Sequence, residues 1–456
     1  MNVVDTIKNA AFASAIQAAL KYMDKDPETN IPKVMSIVDK AAPEDWYAGQ
    51  RNAIRQGIAE KGNWYELATK VWALDPEVRK TFFTNFIVNA SLKGSALQKE
   101  TEEKEDCNVP WAILLDPTSA CNLHCTGCWA AEYGHKLNLS LETIDDIITQ
   151  GKKLGTYMYI YTGGEPMVRK KDIITICERH PDCEFLSFTN GTLIDEELCK
   201  KIVELGNITF LLSIEGTPET NDGRRGEGHY AAVMKAKVKH AMQLLKDHNL
   251  PFGISSCYTS ANYKDITSEE FYDMIIEAGA LFIWFFHYMP VGNDAAPELM
   301  PNPEQRKAVY ERIRAFRSSK PIFSLDFQND AEYIGGCIAG GRYYLHINAA
   351  GDVDPCVFIH YSNANIHEVS LLDALKSPIF QAYRKGQPFN DNMLRPCPML
   401  ENPECLPKMV KETGAHSTDP QSPEDVQHLC DKCKPYAEAW TKMADKLWDE
   451  RLNAKK

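Results

Sequence analysis

Cys121-Asn122-Leu123-His124-Cys125-Thr126-Gly127-Cys128-Trp129 follows the apolar run Ile113, Leu114, Leu115 and a break at Pro117. Three thiolates packed this closely can hold three irons of a four-iron, four-sulfur cluster, because soft iron prefers sulfur and so short a loop can wrap one cubane. The fourth iron then has no protein ligand and can chelate the amino and carboxylate groups of a small molecule. Two other readings compete. A structural zinc site wants four ligands in two close pairs, and only His124 stands near enough to be a fourth. Cysteines at i, i+4 and i+7 also fit one buried helical stripe, but Pro117, Asn122 and Gly127 oppose a helix there.

Working outward, the chain has 456 residues, 44% hydrophobic and 25% charged, enough for one large domain with appendages or for two to three domains. Its formal net charge of −13 disfavours a nucleic-acid partner, which would require a basic face. Ala10 to Leu20 is flanked by Asp5, Lys8 and Lys21 without a small-residue cleavage site, so no signal peptide is expected. No run is long and apolar enough for a membrane span, and a cytoplasmic location follows as an expectation. Fourteen cysteines in a reducing compartment favour metal ligation over disulfides. Nine fall in two regional sets, Cys121, Cys125 and Cys128, then Cys337, Cys356, Cys397, Cys405, Cys430 and Cys433. Cys107, Cys177, Cys183, Cys199 and Cys257 read as small core residues.

Residues 1–105 read as a helical N-terminal region with stops at Pro27, Pro32, Pro43 and Pro76. Its aromatics Trp46, Trp64, Trp72, Phe82, Phe83 and Phe86 suit packing better than substrate binding, and the charged segment Gln98 to Asp106 reads as a linker. Over 106–320 the pattern alternates. Strands are predicted at Trp111 to Leu115, Tyr157 to Tyr161, Phe185 to Phe188, Ile208 to Ser213, Phe252 to Cys257 and Leu281 to Phe286. Helices are predicted at Leu141 to Leu154, Lys171 to Arg179, Asp195 to Glu204, Tyr230 to Lys246, Ser268 to Glu277 and Pro303 to Ser319, with Ser140/Thr143 and Thr267/Glu270 as helix starts. Six strand-helix units imply an α/β fold, a partial (β/α)6 TIM-like barrel with ligands at the carboxyl ends of its strands. Residues 321–456 lose that rhythm and read as a small cysteine-rich, metal-stapled domain.

Three further stretches follow successive strands. Thr162-Gly163-Gly164-Glu165-Pro166 has glycines that permit close approach of backbone to a ligand. Phe188-Thr189-Asn190-Gly191-Thr192-Leu193 is a turn. Ser213-Ile214-Glu215-Gly216 precedes Arg225; a hydroxyl and a carboxylate suit ribose hydroxyls, and a guanidinium suits a carboxylate. Any one of these reads as a solvated turn, but their order after successive strands points to a ligand site.

With Cys-x3-Cys-x2-Cys and the aromatic that follows, these stretches make the chain resemble the radical S-adenosylmethionine (radical SAM) enzymes. The resemblance implies a [4Fe-4S] cluster on Cys121, Cys125 and Cys128, with Trp129 at the aromatic position beside it. It implies that Gly163, Gly164 and Glu165 receive the amino group of S-adenosylmethionine, that Ser213 and Glu215 lie near the ribose, and that Arg225 binds the carboxylate. Asn190 has a smaller weight. Reduction by a low-potential donor such as ferredoxin or flavodoxin would then release a 5′-deoxyadenosyl radical that takes hydrogen from a substrate, in an anaerobic or microaerobic host.

Cys337, Gly351 and Cys356, then Cys397, Cys405, Cys430 and Cys433, resemble the SPASM or Twitch extensions that carry auxiliary iron-sulfur clusters. Full SPASM domains use seven or eight cysteines, whereas six lie beyond residue 320. One auxiliary cluster, a second site completed by His360 or His416, and a four-thiolate iron or zinc site on Cys397, Cys405, Cys430 and Cys433 all remain open. Val357, where sulfatase-maturing members carry aspartate, argues against that activity. His287 and Tyr288 are candidate substrate contacts, although a packed strand end is the commoner role. The extension favours oxidative modification of a peptide; a lipid or other apolar substrate competes, motivated by the aromatic-rich N-terminal region. A multi-cluster electron carrier and a zinc-stapled binding module are the non-catalytic alternatives.

Overall fold

The computed structural model describes residues 14, 18–41, 48–226 and 238–453. Nine strands form one sheet in the order β7-β6-β5-β4-β3-β2-β1-β8-β9. The central six are β1 (Ala112–Leu115), β2 (Met158–Tyr161), β3 (Glu184–Thr189), β4 (Ile208–Ser213), β5 (Phe252–Tyr258) and β6 (Phe282–His287). Each pairs in parallel with the next in sequence, the arrangement that repeated strand-helix crossovers produce. The predicted partial barrel is therefore present, with its six strands displaced by no more than about one residue at either end.

Helices form where the sequence places them, for local reasons. Leu141–Leu154 starts because Ser140 Oγ accepts the Thr143 N–H at 3.0 Å, and it stops at Gly155, whose φ of 101° is left-handed. One helix start differs. Ser268, not Thr267, caps Glu269–Glu277 by accepting the Phe271 N–H at 3.1 Å, while the Thr267 hydroxyl donates to the Tyr263 carbonyl at 2.6 Å. The first part of the helix predicted from Tyr230 lies outside the described residues, which show Val238–Asp247.

The N-terminal helices cover the amino ends of the strands. Asn85 donates to the Pro181 and Cys183 carbonyls just before β3, Phe86 meets Trp111 edge-on at 5.4 Å, and Trp64 meets Phe323 at 6.2 Å. Trp72, Phe82, Phe83 and Phe86 also stack among themselves, so packing is their role; Trp46 lies outside the described residues. The expected linker at Gln98 is instead part of the helix Ser95–Glu105. Lys99, Glu100, Glu103 and Lys104 are exposed, Glu102 accepts the Val109 N–H at 3.1 Å and Glu105 pairs with Lys376, while the buried Gln98 amide donates to the Gly155 carbonyl at 2.9 Å and fixes the helix to the barrel.

Past residue 320 the sheet continues. β7 (Phe323–Asp326) extends it beyond β6, β8 (Tyr344–Ile347) pairs in parallel with β1, and β9 (Val353–Asp354) turns back antiparallel to β8. One hydrophobic core runs from Val78 to Leu447. The C-terminal region thus shares the barrel's core rather than being held by metal alone. None of the helices among the described residues is long and apolar enough to cross a membrane.

Candidate active site

Leu114, the turn after β2, and the ends of β3, β4, β5 and β6 surround one cavity of about 200 Å³ at the carboxyl ends of the strands. Cys121, Cys125, Cys128, Trp129, Gly163, Gly164, Glu165, Asn190, Ser213, Glu215 and Arg225 all line it. The structure therefore brings together every residue that the sequence placed at the first cluster and its ligand.

The cluster loop is held from three sides. Asn190 Nδ2 donates to Asn122 Oδ1 at 2.7 Å, and Asn122 Nδ2 donates to the Thr192 hydroxyl at 2.8 Å. The Thr126 N–H donates to the Arg224 carbonyl at 2.7 Å. Gly127 has φ 62°, and a Cβ there would fall 2.2 Å from the Tyr288 hydroxyl, so only glycine fits. His124 is exposed and does not line the cavity, whereas Cys257, read from the sequence as a small core residue, lines it together with the three thiols of the loop.

The glycines of the turn after β2, which line the cavity, also have a packing reason. A Cβ on Gly164 would lie 2.2 Å from the Ala120 carbonyl oxygen, and one on Gly163 would lie 2.8 Å from both Asp116 and the Thr118 carbonyl oxygen. They let the turn press on the cluster loop, whose carbonyls accept the Gly164 and Glu165 N–H groups. The Glu165 carboxylate is likewise occupied: it accepts from the Thr189 hydroxyl and the Asn190 N–H, both at 2.7 Å. Burial raises its pKa above the ordinary carboxylate value against those hydrogen bonds.

Arg224, which sequence reasoning passed over, lines the cavity beside Arg225. Both guanidinium groups bind Glu215, with Arg225 Nη2 at 2.9 Å. Burial alone would raise the Glu215 pKa, but the two cations outweigh it and hold the carboxyl below its ordinary value. The adjacent arginines were the only available signal. Glu215 is only 1% exposed, its Oε1 is engaged by these arginines, and its Oε2 has no hydrogen-bond partner. His287 and Tyr288 line the cavity but are packed. The His287 Nδ1 meets the Tyr288 carbonyl at 2.6 Å, its Nε2 meets the Tyr436 hydroxyl at 3.0 Å, and the Tyr288 hydroxyl accepts the Ala296 N–H.

The six C-terminal cysteines divide, with Cys405 at the start of the helix Cys405–Thr413. Cys337, Cys356 and Cys397 line a second cavity, where the Tyr344 hydroxyl lies 2.7 Å from Cys356 Sγ. Cys430 lines a separate hollow with Glu404 and Gln427, and Cys433 follows it by one turn on the helix Val426–Asn453. Among the described residues, no three Cys, His, Asp or Glu side chains gather closely enough for a single metal ion. Of the four thiols of the alternative iron or zinc site, Cys397 lines the second cavity and Cys430 the separate hollow. His360 is committed elsewhere, between Asp419 at 2.7 Å and the Val357 carbonyl at 3.1 Å, and His416 stands exposed.

Residues 115–278 match the family described as the Radical SAM superfamily, and residues 337–401 match SPASM, described as an iron-sulfur cluster-binding domain. The chain is a radical SAM enzyme with a SPASM extension. It is 25% identical over 290 residues to the AdoMet-dependent heme synthase of Methanosarcina barkeri, covering 57% of this chain and 80% of that one. It is 24% identical over 310 residues to the PqqA peptide cyclase of Granulibacter bethesdensis, covering 63% and 79%. The crystal structure of Streptococcus suis SuiB bound to S-adenosylmethionine shares the fold at a TM-score of 0.55 and 18% identity, covering 74% of this chain and 81% of that one.

The residues present fit the cofactors of a radical SAM enzyme. The three loop cysteines line one cavity together with Cys257, and buried polar atoms without partners, Glu215 Oε2 and the Nε atoms of Arg224 and Arg225, stand at its wall. Burial pushes the Cys121 thiol to about 11 and raises that of Cys128, so metal loading must displace their protons. At the second cavity Cys337 is pushed to about 11 and Cys356 to about 12 by the same burial.

Proposed function

We propose that this radical SAM enzyme oxidatively modifies a peptide, with Cys121, Cys125 and Cys128 holding the first cluster and Cys337, Cys356 and Cys397 contributing to an auxiliary one. The carrying observation is that both cysteine groups border cavities sharing Met289 and Phe358 as a wall. A substrate at the first site would sit one side-chain layer from the second. The similarity to a PqqA peptide cyclase supports a peptide.

Bound at the three thiolates, a reduced cluster with S-adenosylmethionine supplies a 5′-deoxyadenosyl radical. The chain's contribution is placement. Arg225 offers a guanidinium at the rim of the cluster loop, Ser213 offers a hydroxyl at the end of β4, and the Gly163–Glu165 turn keeps the loop in register with β2. Phe188, Phe286, Met289, Val357 and Phe358 give the cavity an apolar wall that excludes water from a reactive carbon radical.

An apolar small-molecule substrate is the second reading. The N-terminal aromatics that motivated it are engaged in packing, but the aromatic cavity wall and the similarity to a heme synthase keep it testable. Anaerobically purified protein, dithionite and S-adenosylmethionine should form 5′-deoxyadenosine, and a short peptide encoded beside the gene should lose two hydrogens by mass. Absence of 5′-deoxyadenosine would refute the activity, and modification of a porphyrin or lipid with the peptide unchanged would replace the substrate class.

A further inference from the structure

Arg224 and Arg225 end the helix Pro218–Arg225, which is only eight residues long. A helix that short is marginal by itself, so the two guanidinium groups are only as well placed as the helix is held. Its carboxyl end is held at the cavity: the Arg224 carbonyl accepts the Thr126 N–H of the cluster loop at 2.7 Å, and both arginines bind Glu215. The amino end lacks the usual support. Thr217 stands at the N-cap position, yet its side chain caps none of the helix N–H groups.

Asp265, in the turn after β5, supplies an anchor there. Its Oδ2 accepts the Thr217 N–H at 2.6 Å and also the Thr220 hydroxyl of the first turn. The carboxylate thus grips the helix at the end where the backbone dipole favours an anion. Gly216 permits the approach, for its φ is 113° and a Cβ there would collide with Asp265 Oδ2. The Asp265 N–H donates to the Asn262 carbonyl at 2.9 Å, and Asn262 Nδ2 reaches the carbonyls of Glu215 at 3.3 Å and Cys257 at 3.0 Å. The segment after β5 therefore holds both the loop that carries Glu215 and the helix that carries the arginines. Asp265 itself does not line the cavity.

We propose that Asp265 is a positioning residue for the carboxylate end of S-adenosylmethionine: by fixing the amino end of Pro218–Arg225 it sets where Arg225 meets that carboxylate. The inference rests on the reading of the first cavity as the S-adenosylmethionine site. Without Asp265 the helix stays attached through Glu215 and Thr126, so the cluster loop keeps its iron. What is lost is the fixed placement of Arg225 on the ligand.

The test is equilibrium dialysis of anaerobically iron-loaded, oxidised full-length protein against S-adenosylmethionine and against 5′-methylthioadenosine, which keeps the adenosine but lacks the amino and carboxylate groups. Asp265→Ala should raise the dissociation constant of S-adenosylmethionine about tenfold, the scale of one hydrogen bond to a charged group. Iron content and the constant for 5′-methylthioadenosine should stay as in the parent. Asp265→Asn, whose amide oxygen can accept from the same two donors, should restore most of the affinity. Should Asp265→Ala lose iron, Thr220→Val reads the same contact from the helix side and should weaken S-adenosylmethionine selectively with iron retained. Parent-like affinity for S-adenosylmethionine in the informative variant, or an equal loss for both ligands, overturns the assignment. Failure of the parent to retain S-adenosylmethionine would instead refute the reading of the cavity itself.

Discussion

Arg225 reaches Glu215 and the cluster loop at once: Nη2 lies 2.9 Å from the Glu215 carboxylate and Nη1 lies 3.9 Å from Cys125 Sγ. Arg225→Ala is therefore expected to weaken S-adenosylmethionine binding more than it lowers iron content, because Arg224 still neutralises Glu215. A loss of about 1.5–3 kcal/mol, as for a hydrogen bond to a charged group, should appear as a higher dissociation constant by equilibrium dialysis of iron-loaded protein. Iron loss with unchanged binding would relocate the carboxylate site.

Glu215 itself is the more drastic position. Glu215→Ala leaves two guanidinium groups uncompensated in a cavity wall, and breaking a buried pair from one side costs about 3–5 kcal/mol. Urea unfolding should show that loss, and Glu215→Gln, which keeps an acceptor for both arginines, should show a smaller one. Equal stability of Glu215→Ala and the parent would mean that the arginines find other partners.

Cys125→Ala separates the two metal regions. Formation of 5′-deoxyadenosine should cease, while iron bound through Cys337, Cys356 and Cys397 persists, since those thiols line a different cavity. Retained cleavage would refute the cluster assignment. Total loss of iron would show that the two regions do not load independently.

How much of this was legible follows from what kind of signal each feature leaves. The six barrel strands are apolar runs separated by amphipathic helices, and Ile208–Ser213 and Leu141–Leu154 appear at the predicted bounds. β7 and β8 escaped because polar residues, Ser324 and Asp326 in one and His346 in the other, interrupt their apolar runs. Gln98 looked like linker because one buried amide among charges has no periodicity. The pairing of Glu215 with both arginines depends on the return of the chain after β4, which residue spacing does not encode.

His346 gives the fold a pH dependence. It is fully buried at the seam between β8 and β1, with Nε2 3.0 Å from Asp116 and Nδ1 3.4 Å from Asp354. Burial alone would lower its pKa, but Asp116 first and then Asp354 raise it to about 9. A folded pKa above the unfolded value of about 6.5 means stabilisation that is complete below pH ~6.5 and lost as pH rises through about 9, up to ~3 kcal/mol. Burial raises Asp354 to about 6, which acts below this window and leaves it unchanged. Urea midpoints should therefore fall between pH 7 and 10 in the parent and less in His346→Gln. A flat parent profile would remove the charged histidine.

Arg306 ties the barrel to the C-terminal extension through groups that no water reaches. Its side chain is 0% exposed, with Nη1 2.6 Å from Glu401 and 2.9 Å from the Tyr436 hydroxyl, Nε 2.9 Å from Asn329, and the guanidinium 4.3 Å from the centre of the Trp440 ring. Glu401 in turn accepts the Cys397 N–H at 2.8 Å, so the pair fixes the backbone of an auxiliary cysteine. Desolvating two charges largely offsets their attraction, which makes the intact pair nearly neutral for stability. Removing one partner is not neutral. Arg306→Met is expected to cost about 3–5 kcal/mol in urea unfolding, and Arg306→Met with Glu401→Gln should recover part of it because no uncompensated carboxylate is left. If the double variant is as unstable as the sum of the single ones, Arg306 acts through packing on Trp440 rather than through its charge.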